Sequence, residues 1–192
     1  SCVMTTYGRF ECVERSIGFW LDQDYQNKEL IIYNTAETPL NLSVNLQNKG
    51  IRIINNEYEL DNLTERYSDV GTVRKDAQKF ARGKWYICWD DDDMYLPFHI
   101  SEGMAHIKQN NLEAWMPEYS YWTANGGATF ELAKNSMEAS CIIKVEDLRR
   151  FGFLKSNGGE HLSWRRGLVD EGKLNEQYSV SPLESYVYIW GE

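Results

Sequence analysis

Four short apolar runs constrain this chain most: "CVMTT", "ELIIY", "GIRIINN" and "WYICW". Each is of strand length and rich in β-branched or aromatic residues. Between them, apolar residues recur at helical spacing. Phe10, Val13, Ile17, Trp20 and Leu21 form one such stripe. Val73, Ala77, Phe80 and Ala81 form another, with Gly83 read as its C-cap. Pro97 suits the first turn of a further helix through Ile100, Met104 and Ile107. Strand, helix, strand, strand, helix, strand predicts an α/β fold, with a mainly parallel central sheet and helices on both faces.

The second half is less regular. "EAWMPEYSYWTANGGATFEL" reads as short strands around a Gly-Gly turn, and "ASCIIK" as another strand. "VEDLRRFGF" and "GEHLSWRRGLVDEG" read as helices, and "ESYVYIW" as a late strand. With 192 residues and no repeat or linker, a single domain is the simplest account.

Charge and cysteine content remove some functions. A net charge of −9 argues against nucleic-acid binding through the phosphate backbone. Cys2, Cys12, Cys88 and Cys141 have no C-x-x-C spacing, so they are expected to be buried free thiols in a reducing, cytoplasmic compartment. No apolar stretch reaches the ~20 residues of a membrane span, and no signal peptide is evident. The chain opens directly in a strand, and is read as a domain accompanied by others in its native polypeptide.

The polar residues that end these strands carry the chemistry. Thr5, Thr6 and Tyr7 follow the first, Asn34 and Thr35 the second, and Asp90, Asp91, Asp92 and Asp93 the fourth. Ligands of open α/β sheets bind outside the carboxyl ends of the strands, so these clusters should meet at one rim. Four adjacent carboxylates repel one another. They are either a solvated turn or helix start, or a site for a hard cation such as Mn²⁺ or Mg²⁺. Carboxylates at i and i+2 can share a direction, which pairs Asp90 with Asp92, or Asp91 with Asp93.

The chain resembles GT-A-fold glycosyltransferases of the family-2 type. "VMTTYGR", "LDQDYQNKELIIYNTA", "VGTVRKDAQKFARGKWYICWDDDDMYLP" and "GGEHLSW" carry the likeness in the expected order. It is clear over residues 2 to 108, looser to about 170 and absent beyond. It implies one GT-A domain, with a nucleotide-sugar half over about 1–108 and an acceptor half over about 109–192. It further implies sugar transfer from a nucleotide-sugar, here a UDP-sugar, to a glycan or other hydroxyl acceptor, with Mn²⁺ or Mg²⁺ as cofactor and inversion at the sugar. By the same resemblance, Asp90 contacts the ribose side and shares the metal with Asp92. Asp91 and Asp93 act as helpers, the latter toward the acceptor. Thr5, Tyr7 and Arg9 line the donor site, Asn34 reads the base and Arg74 faces the diphosphate. Glu160, with His161 second, is the general base.

Three positions depart from the family pattern. Asn34 stands for an aspartate, Lys75 for an asparagine, and His161 for the aspartate of a Glu-Asp pair. The His161 departure keeps a non-catalytic nucleotide-sugar-binding or divalent-ion-binding domain open. A nucleotidylyltransferase is the third reading, weakened because "TTYGRF" has a single glycine. Trp115, Tyr119, Tyr121 and Trp122 are either a sugar platform or an aromatic core patch. His99 and His106 are read as packing or surface residues.

Overall fold

The computed structural model describes residues 1–41, 43–56, 69–124, 129–134, 137–174 and 184–189. The chain runs β1 (Cys2–Thr6), α1 (Phe10–Leu21), β2 (Leu30–Asn34), α2 (Val44–Gln47), β3 (Ile51–Asn55), α3 (Val70–Ala77), β4 (Trp85–Cys88) and β5 (Met94–Tyr95). It continues through α4 (His99–Asn110), β6 (Ala114–Trp115), β7 (Tyr119–Ala124), β8 (Thr129–Lys134), β9 (Ile142–Lys144), α5 (Val145–Phe151), α6 (Leu162–Asp170) and β10 (Tyr186–Ile189).

The main sheet has the order β3-β2-β1-β4-β9-β6. β3, β2, β1 and β4 are parallel, and β9 runs against both its neighbours. The period-two alternation of side chains divides each strand between two cores. Cys2, Met4, Leu30, Ile32, Ile87 and Ile142 join Val13, Ile17 and Trp20 of α1 and Ile100 and Ile107 of α4 on one face. Val3, Ile31, Tyr33, Tyr86, Cys88 and Ile143 join Ala77 of α3, Leu148 of α5 and Trp164 and Leu168 of α6 on the other. Burial on both faces explains why these strands read as continuous apolar runs. A second sheet, β5-β10-β7-β8, stands apart and includes a parallel β10–β7 pair.

Several sequence expectations need correcting. α3 ends at Ala77 and a 3₁₀ turn over Gln78–Phe80 follows, so Gly83 does not cap it. Gly83 lies against the chain start instead: a Cβ there would come within 2.9 Å of Ser1 N and Oγ. Pro97 precedes α4 rather than entering it, because the helix starts at His99. Buried Gln23 ties this helix start to the end of α1, accepting from Ile100 N (3.1 Å) while its amide donates to Leu96 O (2.7 Å). The Gly-Gly turn lies outside the described residues. All four cysteines are free, and Cys2, Cys88 and Cys141 are buried. Among the described residues, no helix is long and apolar enough to cross a membrane.

Candidate active site

The carboxyl ends of β1, β2 and β4 meet as the strand pattern requires. Thr35 N and Oγ1 both donate to Thr6 O, at 3.0 and 3.1 Å. Thr6 Oγ1 donates to Asp91 Oδ2 at 2.7 Å. The turn after β4 is held from below by an apolar and hydrogen-bonded base. Trp89 stacks on Tyr95 (centroids 3.7 Å apart), and its Nε1 donates to Ser16 Oγ of α1 at 2.9 Å. Tyr95 Oη accepts from Asp90 N (2.9 Å) and donates to Cys88 O (3.2 Å).

On this base the four aspartates alternate. Asp91 and Asp93 are each 1% exposed, whereas the side chains of Asp90 and Asp92 are 21% and 26% exposed. Asp91 turns toward Thr6 and Arg9, whose guanidinium spans Asp91 (2.5 Å) and Asp92 (2.7 Å). Arg9 occupies the N-cap position of α1 without capping it, since a guanidinium has no acceptor to offer the helix N–H groups, and its donors go to this rim instead. Arg15 donates to Asp92 O at 3.1 Å. Asp93 accepts from Tyr186 Oη and from Ile189 N of β10 (3.1 Å), joining the rim to the second sheet. Oxygens of Asp90, Asp92 and Asp93 all lie within 4.8 Å of one another. A single oxygen-seeking cation such as Mn²⁺ or Mg²⁺ fits that set.

Crowding and burial oppose ionisation here. Burial raises the pKa of Asp93 well above the ordinary carboxylate value, and nearby Asp90 adds to it. Burial pushes Asp91 up to about 6, against the Thr6 hydroxyl and Arg9. A carboxyl with a higher pKa folded than unfolded favours the folded state at low pH. Its contribution therefore falls as pH rises from about 4 to about 6. The stability advantage of Asp91→Asn over wild type should grow by on the order of 2 kcal/mol from pH 4 to pH 7, read by urea unfolding of metal-free protein.

Arg74 links this rim to the late motif. The side chain is buried on α3, with Nη2 3.0 Å from Asp90 Oδ1 and Nε 3.2 Å from Glu160 Oε1. Its Nη1 is buried without a hydrogen-bond partner among the described residues. Glu160 is itself buried, and His161 follows at the N-terminal end of α6. His161 Nδ1 lies 3.1 Å from Glu138 Oε1.

Other expected residues have different settings. Asn34 is fully buried, donates to Thr38 O (2.9 Å) and Asn55 Oδ1 (3.0 Å), and accepts from Ala36 N (3.1 Å). Its amide thus organises the turn after β2. Thr5 is half-buried, and Tyr7 is 69% exposed beyond β1. Trp115 belongs to the first core and does not cluster with Tyr119, Tyr121 and Trp122; Trp122 packs edge-on against Tyr188 of β10 (5.2 Å). His99 is buried against Ser185 Oγ (2.9 Å), and burial drops its pKa to about 3. Arg15, Glu138 and Tyr186 were missed by sequence reasoning, as was the particular task of Thr6, a rim residue in the strand pattern, in holding Asp91. The alternation of β1, with Val3 and Met4 on opposite faces, was the available signal for Thr6. Nothing local marks the other three.

The profile of glycosyl transferase family 2 matches residues 1–138. The chain belongs to that family, and its sheet with the acidic rim is the family's GT-A fold. An uncharacterized glycosyltransferase of Haemophilus influenzae is 26% identical over 123 residues, 62% of this chain and 36% of that protein. The putative colanic acid biosynthesis glycosyl transferase WcaA of Escherichia coli K12 is 28% identical over 125 residues, 63% of this chain and 42% of the relative. The chain thus spans less than half the length of these relatives. S. aureus TarS 1–349 in complex with UDP-GlcNAc superposes with a TM-score of 0.71 at 14% identity, over 100% of this chain and 58% of that one. Mannosyltransferase PcManGT from Pyrobaculum calidifontis, in complex with GDP-Man and Mn²⁺, gives 0.64 at 14% identity over 98% and 55%.

Proposed function

We propose that this chain transfers a sugar from a nucleotide-sugar, a UDP-sugar, to an acceptor hydroxyl, with inversion and with a divalent cation. The alternation of the four aspartates carries this reading. It leaves Asp90 and Asp92 partly open at the carboxyl end of β4 and spends Asp91 and Asp93 on the scaffold. The complexes of TarS with UDP-GlcNAc and of PcManGT with GDP-Man and Mn²⁺ support the donor class and the metal.

Asp90 and Asp92 would hold Mn²⁺ or Mg²⁺, with Asp93 in reach. Bound there, the cation neutralises charge on the departing diphosphate. Arg74 keeps Asp90 in place. Thr5, Tyr7 and Arg9 line the donor side, with the Asn34 turn beneath; the exposed Tyr7 ring is free to stack on a base. The Glu160–His161 pair lies across Arg74 from the metal ligands and removes the acceptor proton. A base opposite the leaving group suits a single in-line displacement, which inverts the anomeric carbon. Residues up to about 108 serve the donor, and those beyond serve the acceptor.

Titration calorimetry with UDP tests this. Binding should require Mn²⁺. Asp92→Asn should weaken it by more than about 100-fold, whereas Asp91→Asn should retain it. Equal UDP binding with and without Mn²⁺ in folded protein would sink the metal-dependent reading.

A further inference from the structure

Glu138 is a half-buried carboxylate to which the donor site assigns no role. It opens the 3₁₀ turn Glu138–Ser140 before β9, and its side chain is 16% exposed against 14% for His161. Oε1 lies 3.1 Å from His161 Nδ1, close in distance but off the line of an aligned hydrogen bond. Catalytic contacts of this kind often align only once substrate is bound. Burial works against a charge on Glu138, yet the His161 contact and Arg74 outweigh it, and its pKa lies below the ordinary value. Glu138 is therefore a fixed anion beside the ring.

The other groups facing His161 are Glu160, whose carboxylate comes within 4.8 Å of a ring nitrogen, and the Trp164 ring at 6.2 Å. Glu160 is differently placed. Its carboxylate is paired with the buried Arg74 guanidinium, and a proton taken there would leave that charge less compensated. His161 has no such tie.

Resting on the transferase reading above, we propose that His161 is the general base and Glu138 the residue that positions it. Glu138 accepts the Nδ1 proton's hydrogen bond, which fixes the tautomer and leaves the Nε2 lone pair available. Nε2 takes the proton of the acceptor hydroxyl as that oxygen bonds to the anomeric carbon. The bond from this carbon to the diphosphate oxygen breaks, and its electron pair leaves with the nucleoside diphosphate. The imidazolium so formed is balanced by the Glu138 carboxylate, the division of labour of a nucleophile-activating triad.

Two measurements test the pair. The first is ring ¹⁵N NMR at a pH where the imidazoles are neutral, with the His161 signal assigned by its loss in His161→Gln. The Nδ1–H tautomer should dominate in wild type and Glu138→Asp, and revert to the solution mixture in Glu138→Gln. The second is Mn²⁺-dependent hydrolysis of UDP-GlcNAc, with water as acceptor. The kcat should fall about 100-fold in His161→Gln and about 10-fold in Glu138→Gln, recover in Glu138→Asp, and leave KM unchanged throughout. An Nε2–H tautomer in wild type overturns the proposal. So does Glu160→Gln abolishing turnover that His161→Gln keeps, or a second Mn²⁺ equivalent that Glu138→Gln removes. A wild type that binds donor yet leaves it intact also overturns it, since a poised base beside bound donor would activate water. Absence of Mn²⁺-dependent UDP binding in folded wild type is the separate failure of the transferase reading.

Discussion

Replacing Arg74 with Met should destabilise the protein by about 3–5 kcal/mol, read from urea unfolding followed by circular dichroism. The Arg74 side chain is 9% exposed, and its guanidinium sits between Asp90 and Glu160, whose side chains are 21% and 6% exposed. Methionine fills similar space but leaves both carboxylates without their cation in a poorly solvated site. Arg74→Lys should recover little, because a point charge cannot span two carboxylates as a planar fork does. The double variant Arg74→Met/Glu160→Gln should regain about 1–2 kcal/mol, since one stranded charge is removed along with its partner. If Arg74→Met unfolds like wild type, the link between rim and late motif has no energetic weight.

Gly71→Ala should be comparably severe, at about 3 kcal/mol, although it adds one methyl group. Gly71 lies in the first turn of α3, where its amide donates to Ser156 O at 3.1 Å. A Cβ there would stand 1.7 Å from Leu154 O and 3.0 Å from Glu160 Cβ. Backbone, not a side-chain tip, is in the way, so helix and loop must separate. The separation draws Glu160 from Arg74, and donor turnover should fall along with stability. Gly18→Ala is the control: it lies in α1 with nothing within 4 Å of a new Cβ. That change should stabilise the protein by about 0.5–1 kcal/mol. A mild Gly71→Ala with an intact unfolding midpoint would show that the loop yields easily.

The sheet was legible in the sequence because burial on both faces leaves continuous apolar runs, and because the helices between them repeat at helical spacing. The rim was legible for the same reason: strand ends in a parallel sheet all face one way. Finer assignments failed where contact, not pattern, decides. Gly83 looked like a helix cap, but its neighbour Ser1 comes from the far end of the local sequence. Trp115 looked like part of an aromatic patch, yet it packs into the first core from a different sheet than Tyr121 and Trp122. Arg74 was readable as a rim residue, but its bridge to Glu160 spans 86 positions and leaves no local trace. Glu138 carries no motif at all; only its place beside His161 gives it meaning.

The bond from Tyr186 to Asp93 has a consequence for how the protein is made. The two residues are 93 positions apart, and Ile189 N adds a second contact to the same carboxylate. A ribosome therefore delivers the four aspartates long before the strand that seals the last of them. A nascent chain stopped short of β10 holds the whole acidic run with Asp93 unsealed. Completion of the rim thus waits for β10, and a cation-binding assay on progressively longer chains would register it as a step.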